Sequence, residues 1–118
     1  MMPAKISEEA FRENLNTKFR VRAEAPRPVE LELVEVKSYN PEENEQRGME
    51  RFSLFFQGPA DIFVPQGTYT LEHERMGALD IFIVPVTRDG GGFRYESVFN
   101  FFKESDEKPF EKSGGDVP

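Results

Sequence analysis

The sequence contains no cysteine and no tryptophan, and only one histidine in 118 residues. Without thiols, disulfides, a thiolate nucleophile and cysteine metal sites are all excluded. The lone imidazole, His73, leaves no second histidine to activate a serine or to complete a histidine-rich metal set. No apolar run approaches the roughly 20 residues that carry a helix across a bilayer. Met1, Met2, Pro3, Ala4 and Lys5 lead into charged residues, so no signal peptide is expected and the default location is the cytoplasm. Basic residues are in the minority, 15 against 22 acidic for a net charge of −7, and they form no stripe able to neutralise a phosphate backbone. Nucleic acid and membrane are therefore not expected partners. The acidic excess keeps the chain soluble and favours a basic partner surface if there is one.

What the sequence has is phenylalanine, 12 in all, so the core is expected to be built from large rings. The length suits one domain, taken as residues 1–102 with a flexible charged tail over 103–118, where Pro109 and the Ser113-Gly114-Gly115 stretch leave little to bury. Ser7 to Leu15 reads as a short helix with Ser7 as N-cap, Glu8 and Glu9 in the first turn, and Phe11 and Leu15 on one face. After Asn16 the apolar period becomes two, through Phe19 and Val21, then Val29, Leu31 and Leu33. Val34-Glu35-Val36 falls out of phase, which points to a bulge near Leu33. Tyr39 to Gly48 reads as a polar, mobile loop. Strands follow at Arg51 to Phe56, Gly67 to His73, Leu79 to Val84 and Phe93 to Phe99, with Asp89-Gly90-Gly91-Gly92 as a hairpin turn. About six strands without crossover helices predict a mainly β fold, a small antiparallel barrel or curled meander with one short N-terminal helix.

Two stretches carry a family resemblance. Phe52-Ser53-Leu54-Phe55-Phe56-Gln57-Gly58-Pro59 and Pro65-Gln66-Gly67-Thr68-Tyr69-Thr70-Leu71-Glu72-His73 resemble a family of small, uncharacterised bacterial proteins classed as a domain of unknown function. The likeness continues through Leu79-Asp80-Ile81-Phe82-Ile83-Val84-Pro85-Val86 and Arg94-Tyr95-Glu96-Ser97-Val98-Phe99-Asn100. It implies no activity, cofactor or catalytic residue. Relatives encoded near phage-tail-like or collar-like proteins imply an accessory role in an assembly.

The residues themselves offer no convergent catalytic set, and no catalytic residue, metal site or cofactor is assigned. As a base or metal ligand, His73 would need a carboxylate on its own face, but Glu72 and Glu74 alternate to the other side of the strand. A structural histidine is the competing reading. Gly90-Gly91-Gly92 precedes a strand rather than a helix, so it is a turn and not a phosphate cradle. Gln66, Tyr69, His73 and Phe82 are the candidate binding residues: Gly67 lets backbone approach closely, and Tyr69 offers area and a hydroxyl. Alternatively Gly67 takes a turn conformation and backbone caps the Tyr69 hydroxyl. Phe55, Phe82, Val84 and the Phe99-Asn100-Phe101-Phe102 run place apolar groups on the nominal outer face. That second surface must be covered, by the N-terminal helix through Phe11 and Leu15 or by a homodimer or protein partner. Two functions follow: a non-enzymatic structural or protein-interaction module, or a small-ligand binder or hydrolase at a barrel mouth around His73 and Tyr69.

Overall fold

The computed structural model describes residues 6–22 and 28–102; the predicted tail, 103–118, lies outside the described residues. Six strands are present: β1 (Lys18–Arg22), β2 (Val29–Ser38), β3 (Met49–Gly58), β4 (Gly67–His73), β5 (Gly77–Asp89) and β6 (Gly92–Phe102). Two short helices accompany them, α1 (Glu8–Arg12) and α2 (Pro41–Arg47). All strand pairs are antiparallel, in the order β1-β2-β3-β6-β5-β4, and β4 returns to β1 to close a barrel. The mainly β expectation holds, but the sheet is not one continuous meander. It is two three-stranded meanders, β1 to β3 and β4 to β6, joined where β3 meets β6 and where β1 meets β4. β3 and β4 are thus on opposite sides of the ring, and residues 59–66 must cross one barrel end to connect them.

Alternation sends Phe19, Val21, Val29, Leu31, Leu33, Phe52, Leu54, Phe56, Leu71, Leu79, Ile81, Ile83 and Tyr95 inward, all buried in one core. The period break after Leu33 is a bulge: the β2–β3 register shifts between Leu33 and Glu35, which turns Val36 back inside. At the crossover end, Val64 is buried and its backbone N–H donates to the Tyr95 hydroxyl at 3.0 Å. The connector is therefore a plug. Gly92, at φ +126°, lies so close to the Gly58 carbonyl oxygen that a Cβ there would overlap it.

The opposite end is closed by α1. The Ser7 hydroxyl accepts from the Ala10 N–H at 3.0 Å, as its capping role requires. The helix is shorter than the sequence reading, because Asn14 breaks it: its side chain donates to the Ala10 carbonyl at 2.8 Å, and Asn16 then adopts φ 66°. Phe11 drops into the core against Phe19, Phe52 and Phe99, with ring centroids 6.4, 6.0 and 5.6 Å away. Leu15 does not join it and stays 37% exposed, since it falls in the turn rather than on the helix.

The loop expected over Tyr39 to Gly48 is instead α2. Pro41 opens it, Glu42 and Glu43 occupy the first turn, Arg47 the last, and Gly48 caps it at φ 67°. It has no apolar stripe, so hydrophobic periodicity is blind to it. It is held by the buried Asn44, whose amide donates to the Tyr39 carbonyl at 2.6 Å and accepts from Arg51 Nε at 2.8 Å.

Candidate interaction surface

The barrel places the residues singled out by sequence in three separate locations. Gln66 and Tyr69 lie at the crossover end, where Gln66 is exposed and the Tyr69 hydroxyl donates to the Pro65 carbonyl at 2.8 Å. Gly67 is not in a positive-φ conformation; it lies under the Tyr69 ring, 3.6 Å from where its Cβ would stand. His73 is at the other end of β4, four residues and about 13 Å along the strand. Phe82 points out of the barrel wall, paired with Thr68 and 48% exposed. No single mouth contains Tyr69 and His73 together.

His73 is buried and both ring nitrogens are engaged. Nδ1 accepts from the backbone N–H groups of Arg75 and Met76 at 3.0 and 3.1 Å. The remaining proton is therefore on Nε2, which donates to the Thr17 hydroxyl at 2.8 Å, and Thr17 donates on to the Asn14 carbonyl at 2.6 Å. The ring also packs 4.3 Å from Phe19. Burial lowers its pKa below the ordinary 6.5; Arg75 lowers it further and Glu74 opposes. A neutral imidazole with both nitrogens committed ties the β4–β5 turn to the start of β1. An open groove of about 480 Å³ runs past it, lined by Lys18, Arg20, Glu30, Glu72 and Arg75, with charges of both signs on the outer wall.

Among the described residues, no group of three or more His, Asp or Glu side chains converges as a metal site would require. Ser53 lies in a polar chain: Tyr39 Oη donates to Ser53 Oγ at 3.0 Å, and Ser53 donates to Glu96 Oε2 at 2.8 Å. With Ser53 wholly buried, no substrate reaches that hydroxyl, and the chain braces β3 against β6.

What the outer wall does present is an apolar strip. Of the exposed large hydrophobics among the described residues, Phe82, Val86, Val98 and Phe102 lie on β5 and β6, and only Leu15 and Phe63 lie elsewhere. Half-buried Phe55 and Val84 extend it, one on either side of Glu96, with which both are in register. Arg94 bounds the strip, stacked 4.8 Å from Phe55 and paired with Glu35 at 2.6 Å. α1 does not cover this wall, because Phe11 is spent inside the barrel. Sequence pattern reached Phe82 and the apolar character of β6, but not Val86 or Val98; their one signal was a valine at a solvent-phase position.

No curated protein and no solved structure matches the chain. One family model does, over residues 6–99, which takes in both helices, β1 to β5 and most of β6. A match of that extent includes the core, the two end plugs and most of the apolar strip, and the chain belongs to the family described as domain of unknown function DUF6916.

Proposed function

We propose that this domain is a non-enzymatic structural or protein-interaction module that docks a protein partner on the outer wall of β5 and β6. The observation that carries the reading is the apolar strip of Phe82, Val86, Val98 and Phe102, left open on a barrel whose interior and both ends are already filled. Surfaces of this kind mark binding sites more often than they occur by chance on a solitary domain. The family resemblance extends the proposal to an accessory role in a larger assembly of the phage-tail-like kind, carried out in the cytoplasm.

A photo-crosslinking residue placed at Val98, and separately at Glu30 on the opposite wall, tests the docking face in cells. Adducts at Val98 and none at Glu30 are expected. Equal yields at both positions, or none at either, would refute the reading.

A further inference from the structure

The wall formed by β5 and β6 differs from the rest of the barrel in its charge as well as in its apolar groups. Gly77 to Arg88 and Arg94 to Phe102 carry four charged residues, Asp80, Arg88, Arg94 and Glu96, two of each sign, in a chain whose net charge is −7. The acidic excess therefore lies elsewhere, and like walls can meet here without net repulsion. β1 and β2 are the reverse: they expose Lys18, Arg20, Arg22 and Glu30 and, among the described residues, no large apolar side chain.

The charges also have an order along the wall. The register sets Val84 beside Glu96 and Thr87 beside Arg94. From the row of Val84 and Glu96, Arg94 lies toward the crossover end and Asp80 toward the α1 end, so that about 20 Å of strand separates them. Phe82, Val84, Val86 and Val98 lie between, with Val98 at 66% exposure. Glu96 does not break the strip, because its carboxylate accepts from Ser53 on the β3 side and stays hydrogen-bonded when water leaves. Arg51, in register with Asn100, is turned to Asn44 and Glu43.

A strip that is basic at one end and acidic at the other complements itself when turned end for end, which is what a twofold contact requires. A twofold axis lying across the strands, midway between Val84 and Phe82, brings Arg94 of one protomer to Asp80 of its partner. The same axis lays Phe82 over Val84 and sets Val98 between Phe55 and Val84. A partner of a single charge would be repelled at one end of the strip.

We infer that the β5–β6 wall binds a second copy of this chain, wall to wall and end for end, as an isologous dimer. This rests on the docking face proposed above and names its occupant.

The test is sedimentation velocity on the full chain and on Asp80→Lys and Arg94→Glu variants, alone and mixed, with circular dichroism to show that each is folded. In the dimer each exchanged charge meets a like charge twice, so either variant alone should dissociate about tenfold or more readily than the parent. Mixed in equal amounts, the two variants face each other with opposite charges at both contacts, and dimer should return to near the parent level. Val98→Lys should weaken the dimer and Glu30→Gln should leave it unchanged. A parent that stays monomeric while Val98 still crosslinks to a different protein in cells overturns the second copy and leaves the docking face standing. A dimer indifferent to the charge variants and to their mixing is held elsewhere, and also overturns the inference. A monomer with no crosslink at Val98 would remove the docking face as well.

Discussion

Replacing His73 with Phe keeps a ring against Phe19 but removes both nitrogens. The N–H groups of Arg75 and Met76 then lose their acceptor, and Met76 is itself buried. Unmade hydrogen bonds of this kind cost about 1–2 kcal/mol each, so the variant should lose roughly 2–4 kcal/mol, a large share of a stability of about 5–15 kcal/mol. The loss should itself depend on pH. The pKa of folded His73 is lowered by burial and by Arg75, against Glu74, while in the unfolded chain it returns to the ordinary 6.5. Between those two values the unfolded state binds more protons, so unfolding free energy rises with pH across the interval. The His73 contribution is complete above pH 6.5 and is lost as pH falls through the lowered folded value. Because the chain has one histidine, subtracting the variant's stability from the parent's cancels the carboxylates and isolates this group. Urea titrations followed by circular dichroism should show the difference largest above pH 6.5 and shrinking on acidification. A difference that is constant, or that widens toward acid, would refute the tautomer assigned here. So would an NMR titration of the folded ring with its midpoint at or above 6.5.

Phe11→Ala should cost about 3–5 kcal/mol, since the ring is fully buried at the centre of a cluster that local shifts cannot refill; chemical denaturation measures it. Gly92→Ala should destabilise by at least about 2 kcal/mol, because alanine at φ +126° is strained and its methyl overlaps the Gly58 carbonyl; an unchanged melting temperature would show that the two strands separate freely there.

The fold class was legible because its cause is local. Phe19 and Val21, Leu31 and Leu33, and Phe52, Leu54 and Phe56 each alternate within one strand, and the phase slip at Val34 revealed the bulge without any partner strand in view. Strand order was not legible, because β3 finds β6 across some forty residues of sequence and no residue pattern encodes which edge meets which. α2 escaped for a different reason. Its capping signals were present at Pro41 and Gly48, but its anchor is a buried asparagine, and apolar periodicity does not register polar anchors. The candidate site was legible in part: Phe82 belongs to the exposed strip, whereas Tyr69 and His73 share a face of β4 but point to different ends of the barrel.

The eight residues between β3 and β4 have a consequence for assembly. Each half of the ring is a hairpin ladder that forms from neighbouring sequence, and the strand ladders that join the halves are β1 with β4 and β3 with β6. If residues 59–66 straighten instead of folding over the barrel end, the first half of one molecule can dock on the second half of another and remake both unions. Reciprocal exchange of this kind yields an intertwined pair with every native strand contact intact, and Val64 leaving its place beside Tyr95 is the local step that permits it.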